Sequence, residues 1–351
     1  MKILVTGHLG YIGSVLVPML LQRGHDLSGL DSDLFGACDF GSAPVELPQI
    51  GYDIRDFTAR DNAVEALRGF DAVIHLAGLS NDPLGDYRPE LTTAINCTAS
   101  VDLAALAKQA GVPRFLFASS CSNYGASGND YIAEDAAFNP VTPYGVSKAT
   151  VERMVAPMAD EGFSPTFLRA STAYGLSPRV RFDLVVNNLT AWAYTTGEVH
   201  LKSDGTAWRP IVHVADIAAA YVAAVEAPRE AVHNVAFNVG MTEENYRIRD
   251  IAEIVHRMVP GSTLGFAEGA EADKRNYRVN CDLIRKALPE YRPQWTCSKG
   301  VEQLLAAYAD YGLELAEFEG ERYNRIAHMK HRVAQGTADA DFHPLAQKVA
   351  A

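Results

Sequence analysis

The chain has 351 residues, 43 acidic against 31 basic, a formal charge of −12 and 48% hydrophobic content, which allows one large α/β domain with a smaller lobe around a substantial core. An acidic balance argues against nucleic acid, which recruits basic faces, while a phosphorylated small molecule needs only a local arginine pair. Five cysteines without C-x-x-C (Cys38, Cys97, Cys121, Cys281, Cys297) read as reduced thiols in a cytoplasmic protein, and with no membrane-length apolar run neither membrane nor signal peptide is expected.

A short apolar strand, Ile3 to Val5, runs into Gly7-His-Leu-Gly10-Tyr-Ile-Gly13, and an apolar helix pattern follows from Val15 to Leu21. That order suits a dinucleotide pyrophosphate. Gly7 permits the tight turn, Gly10 a close backbone approach to phosphate, and Gly13 close packing of helix on sheet. The helix N-terminus adds N–H groups and partial positive charge. The spacing is G-x-x-G-x-x-G rather than G-x-G-x-x-G, so an ordinary tight turn is the plain alternative. The next strand, Asp26 to Leu30, ends in Asp31, an acid that can accept the ribose hydroxyls of NAD and repel the 2′-phosphate of NADP. No arginine lies between Ser28 and Asp39 to receive that phosphate. NAD is the expected cofactor.

Strands and helices keep alternating: Asp53-Ile54, a helix over Ala63 to Leu67, a strand from Ala72 to Gly78, a helix pattern from Leu91 to Ala110, and a strand from Arg114 to Ser119. Thr142 and Pro143 read as the cap and first residue of another helix, and the strand Pro165 to Arg169 completes this half. The pattern predicts a Rossmann-type, doubly wound parallel α/β sheet over residues 1–175, with later elements returning to it. Residues 176–313 read mainly as a substrate lobe, with helices at Phe182 to Thr195, Ala215 to Glu226, Ile248 to Val259 and Val301 to Tyr311, and strands near His200 to Lys202 and Ala236 to Val239. Residues 314–351 read as a polar tail with one thin helix pattern, Phe318 to Val333. There His328 and His331 lack a third ligand, so no metal is expected. Trp192 and Trp208 read as packing residues.

Tyr144 and Lys148 lie four apart on one face of the helix begun at Pro143. A tyrosine is a poor base at neutral pH, but an adjacent ammonium favours its phenolate. Ser120 ends the strand Phe117-Ala-Ser-Ser120, at the carboxyl edge where open α/β sheets take ligands. From there it can hydrogen-bond the oxygen that Tyr144 deprotonates.

These motifs, with His75-Leu-Ala-Gly78 and Arg209-Pro-Ile-Val-His-Val-Ala-Asp216, resemble the extended short-chain dehydrogenase/reductases of the nucleotide-sugar epimerase/dehydratase family. The resemblance spans roughly residues 1 to 310. It implies a Ser120–Tyr144–Lys148 catalytic set, a nucleotide-diphosphate sugar as substrate and a homodimer. For NAD it implies Gly7, Leu9, Gly10, Tyr11, Ile12, Gly13, Asp31, Asp53, Ile54, Leu76, Ala77, Gly78, Asn96, Ser119, Tyr144 and Lys148. For the substrate it implies Ser80, Ser120, Cys121, Ser122, Tyr144, Thr172 and Asn188 (Asn187 as fallback), with Arg209 and Arg275 gripping the diphosphate. Dehydratases of the family carry Asp-Glu after the catalytic hydroxyl residue, where this chain has Cys121 and Ser122. Thr172 replaces the family's usual asparagine. The expected activity is therefore epimerisation, most simply at C4, with a keto-sugar reductase or dehydrogenase using the same residues as the alternative and 4,6-dehydration disfavoured. A non-catalytic dinucleotide sensor would not need the Tyr144–Lys148 pair.

Overall fold

The computed structural model describes residues 1–80, 82–201, 203–266 and 276–345. Seven parallel strands form the main sheet, in the order Val235–Val239, Ser164–Ala170, Arg114–Ser120, Ala72–His75, Lys2–Thr6, Asp26–Leu30, Gln49–Gly51. The chain begins mid-sheet at Lys2–Thr6, builds to one edge through Gln49–Gly51, then returns to Ala72–His75 and builds the other way. Ligands of open α/β sheets bind outside the strands' carboxyl ends at this reversal.

Parallel strands covered on both faces need apolar residues on both. Ile3, Leu4, Val5, Val73 and Ile74 are accordingly fully buried. The helices Gly13–Gln22 and Val214–Glu226 cover one face through Leu16, Val17, Leu20, Ile217 and Tyr221. Ala99–Gln109 and Pro143–Val155 cover the other through Leu103, Ala107, Val151 and Val155.

Local detail departs from the sequence reading most visibly in the following segments. The single helix expected over Leu91 to Ala110 is three pieces: Pro89–Thr92, a π-helical segment Thr93–Thr98, and Ala99–Gln109. Ala126–Ile132 is a strand that the sequence reading lacked; its parallel partner is Asn276–Val279, far along the chain. The tail forms two short helices, Leu315–Phe318 and Arg325–Ala334, instead of one. Nor is it wholly polar: Met329, Ala338 and Phe342 are buried in the same apolar cluster as Leu84, Ile95 and Leu103.

In the smaller lobe, Thr172–Tyr174, Trp208–His213 and Asn245–Arg247 form a small mixed sheet, and Glu198–Leu201 pairs with Thr263–Phe266. The lobe has its own core around Val186, Leu189, Ile251, Val301 and Tyr308. Trp192 packs edge-on against Phe318, and the Trp208 ring is approached by the guanidinium groups of Arg247 and Arg278. His331 pairs with Glu321 at 2.6 Å and His328 stacks near Phe35.

Candidate active site

A cavity of about 870 Å³ opens at the sheet reversal, between the parallel sheet and the smaller lobe. That is the upper end of single-ligand sites and leaves room for more than one small molecule. Of the residues expected in the site, all line this cavity except Asn96, Cys121 and Asn187, with Arg275 lying outside the described residues.

The glycine turn is built as its sequence implies. Gly7 has φ +71° and a side chain there would meet the Ala77 nitrogen at 2.6 Å, while a Cβ on Gly13 would strike the Gly7 carbonyl oxygen at 2.3 Å. Only glycine satisfies both positions. A Cβ on Gly10 would meet nothing nearer than the Gly7 oxygen at 3.2 Å, so that position is open on its other sides. No side chain caps the helix Gly13–Gln22 that follows, which suits an anion at its N-terminus. Tyr11 and Ser14 tie the turn to the smaller lobe: the Tyr11 hydroxyl donates to the Gly175 carbonyl at 2.7 Å, and the two hydroxyls of Ser14 and Ser177 lie 2.9 Å apart.

Asp31 faces this turn. Its two carboxylate oxygens accept backbone N–H groups from Leu9 at 2.9 Å and Asp33 at 2.8 Å, leaving a lone pair on each for ribose hydroxyls. Burial raises its pKa to about 6, with the two N–H donors opposing that rise. Asp53 caps the helix Ile54–Ala59 and is held by Arg55, whose Nη2 lies 2.7 Å from one oxygen and Nε 2.9 Å from the other. Its carboxylate is thus engaged within its own turn, beside Ile54 in the cavity wall.

Behind Leu76–Gly78 lies a chain of polar side chains. The Thr6 hydroxyl accepts from the Ala77 N–H at 3.2 Å and lies 2.6 Å from His75 Nδ1, while His75 Nε2 lies 2.8 Å from the Ser100 hydroxyl. Burial and the charge of Lys148 hold His75 neutral, with a pKa near 3; because the Ser100 hydroxyl donates to the Ile95 carbonyl, it accepts from Nε2–H and Thr6 donates to Nδ1. Asn96, expected to touch the cofactor, works one layer back. It is fully buried in the π-helical segment, accepts from Leu79 N–H at 2.7 Å and donates to Leu79 carbonyl at 2.9 Å. It therefore fixes the loop after Gly78.

Thr142 caps the helix Pro143–Val155 by accepting from Gly145 N–H at 3.1 Å, which sets the first turn that carries Tyr144. Lys148, one turn on, is buried with its ammonium 5.7 Å from the Tyr144 ring centre and 4.7 Å from that of Phe117. Burial pulls its pKa down to about 8. Ser120 caps the following 3₁₀ turn and accepts from the Ser122 N–H at 3.1 Å and the Ser122 hydroxyl at 2.9 Å. Both contacts use Ser120 as acceptor, so its own proton is available to a ligand oxygen. Ser119 donates to Glu152, which is buried in a salt bridge with Arg169 at 2.7 Å. This buried network fixes the strand end that carries Ser120.

Of the residues expected to bind substrate, Ser80, Thr172, Asn188 and Arg209 reach the cavity. Arg209 is buried, donates to the Trp208 carbonyl at 2.8 Å and lies over the Tyr277 ring. Two expected contacts turn elsewhere. The Cys121 thiol is buried, donates to the Arg169 carbonyl at 3.1 Å, and is pushed by burial up to about 12, so it is no proton donor to a ligand. Asn187 is buried and spans the Gly175 and Arg181 backbones, accepting from Gly175 N–H at 2.8 Å. It positions Arg181, which the sequence reading missed. Arg181 lines the cavity, pairs with Asp183 at 2.6 Å, donates to Ser80, and lies within electrostatic reach of Tyr11 and Tyr144. The signal was Arg179-Val-Arg181, two alternate arginines in an acidic chain; Arg325, which also lines the cavity from the tail, had none.

The sequence profile of the NAD dependent epimerase/dehydratase family matches residues 3–240. The chain belongs to that family. Its cofactor is NAD, and the fit is local: glycine positions that exclude side chains, an uncapped helix start and a carboxylate at the ribose end. Members similar to this chain include UDP-glucose 4-epimerase from Corynebacterium glutamicum, 29% identical over 72% of this chain and 79% of that protein. The UDP-glucose 4-epimerase from Bacillus subtilis is 28% identical over 87% and 95%. Among solved structures, UDP-glucuronic acid 4-epimerase from Bacillus cereus, in complex with UDP-glucuronic acid and NAD, shares the fold with a TM-score of 0.73, 23% identity, and coverage of 88% of this chain and 99% of that one. This family member has no described helix long and apolar enough to cross a membrane.

Proposed function

We propose that this enzyme is an epimerase of a nucleotide-diphosphate sugar, acting at C4. The observation that carries the reading is the convergence of Ser120, Tyr144 and Lys148 with the glycine turn on one cavity, while the residue after Ser120 is a buried thiol rather than a carboxylate. Bound NAD supplies reversible hydride transfer. Tyr144, as phenolate, takes the proton of the sugar hydroxyl and returns it once the sugar has presented its other face. Ser120 donates a hydrogen bond to the same oxygen. The Lys148 ammonium, with Arg181 beyond it, favours the phenolate. Arg209 holds the diphosphate. The similarity to two UDP-glucose 4-epimerases supports this reading and makes UDP-hexoses the first substrates to try. The proposed setting is cytoplasmic, in keeping with five unpaired thiols.

The test is incubation of the purified protein with UDP-, GDP-, CDP- and dTDP-sugars without added cofactor. Equilibration of C4 epimers is the expected result, slowed by about 10²-fold or more in Tyr144→Phe. A stoichiometric requirement for NADH would replace epimerisation with net reduction.

A further inference from the structure

The tail reaches the cavity by gripping one loop. Arg322 donates to the carbonyls of Ala37 and Asp39, both at 2.7 Å, and Arg332 to those of Asp33 and Leu34, both at 2.8 Å. Tyr323 donates to the Asp39 carbonyl at 3.1 Å, and the Cys38 thiol donates to the Arg322 carbonyl at 2.9 Å. All of these contacts fall on residues 33–39, which follow Asp31, the residue facing the glycine turn. The fully buried Met329 anchors the strap in the main apolar cluster.

Arg325 is held within this strap. Its guanidinium lies 3.7 Å from the Phe35 ring centre and lines the cavity, yet among the described residues it makes no hydrogen bond or ion pair. Its neighbours are matched: Arg179 pairs with Asp33 at 2.9 Å and Asp39 at 2.8 Å, and Arg181 with Asp183 at 2.6 Å. Burial, with repulsion from Arg181, lowers the pKa of Arg325 only to about 10, so at neutral pH it remains a cation. The carboxylate that attracts it, Asp183, is already paired with Arg181, which leaves this guanidinium in the cavity wall open to an anion from the ligand, and its planar fork suits phosphate oxygens. The same wall carries Asp31, Ser32, Asp33, Leu34 and Phe35, the ribose end of the dinucleotide site. Arg209 with Tyr277 belongs to the substrate lobe.

We propose that Arg325 is a cofactor-binding residue, carried over the adenosine end of the cavity by the tail and directed at a phosphate of bound NAD. The inference rests on NAD binding and not on the epimerase reading. NAD-free full-length protein, titrated with ADP, adenosine and UDP, separates the possibilities. Arg325→Ala should weaken ADP by about 10- to 150-fold, the value of a charge-assisted hydrogen bond, and leave adenosine and UDP unchanged. Arg325→Lys, which keeps charge and stem, should lose less ADP affinity and controls for misfolding. Unchanged ADP affinity in Arg325→Ala overturns the proposal, as does an equal loss of ADP and adenosine. A loss of UDP rather than ADP assigns the residue to the substrate's phosphates and overturns it too.

Discussion

Lys148 is the residue where the proposed catalysis and stability conflict. The proposed chemistry needs its ammonium beside Tyr144, but burial lowers its pKa from an ordinary 10.5 to about 8. Between those values the unfolded chain holds a proton that the folded chain does not, so this residue makes stability rise with pH across that window. Below pH 8 the full cost of the buried charge is present, up to roughly 3 kcal/mol. Lys148→Met should therefore resist urea better than the parent at pH 7 when both are free of NAD, with the difference shrinking toward pH 10, while catalysis is lost. A stability difference independent of pH would show that Lys148 is not strained by burial. Asp31 has the opposite dependence: its pKa is raised to about 6, so its contribution to stability falls as pH rises from the unfolded value near 4 through 6.

At the level of elements, the glycine turn and the π-helical segment do what regular structure cannot. Gly13 lets its helix start against the turn itself; a Cβ would lie 2.3 Å from the Gly7 oxygen and 2.6 Å from the His8 backbone. Backbone cannot yield as a flexible side chain does. Gly13→Ala should lower stability by about 1–3 kcal/mol and weaken NAD, read as a fall in the urea midpoint with an unchanged slope. An unchanged midpoint would mean that the turn relaxes freely. The segment Thr93–Thr98 interrupts an otherwise regular helix and carries Asn96, whose paired bonds to Leu79 hold the loop after Gly78. Such insertions recur at functional sites. Apolar periodicity gives no warning of one, because it shifts the helix by a single residue.

For the whole molecule, the cavity joins two walls that fold around different cores: the glycine turn, Tyr144 and Lys148 on the main sheet, Arg209 on the smaller lobe. Changes on the second wall should therefore act on substrate and not on cofactor. Arg209→Ala should weaken the sugar nucleotide by about 10- to 150-fold and leave NAD binding as it was. Lysine should restore only part, lacking the two-pronged fork. Equal loss of both ligands would indicate collapse of the lobe, and undiminished substrate affinity would place the diphosphate elsewhere.

The features legible from residue order alone are local. Gly7, Gly10 and Gly13 between a strand and a helix, Asp31 at the next strand end, the Thr142–Pro143 cap and the Tyr144–Lys148 spacing each act within one or two turns of chain, where sterics and periodicity decide. Which side chains face the cavity and which brace it was settled by long-range packing. Cys121 and Ser122 are neighbours, yet one is buried against Arg169 and the other lines the site. Asn187 and Asn188 divide in the same way across one helical step. The pairing of Ala126–Ile132 with Asn276–Val279 and the arrival of Arg325 over Phe35 join segments far apart in the chain. Contacts of that range are set by how whole elements fill a shared core, and no local pattern encodes them.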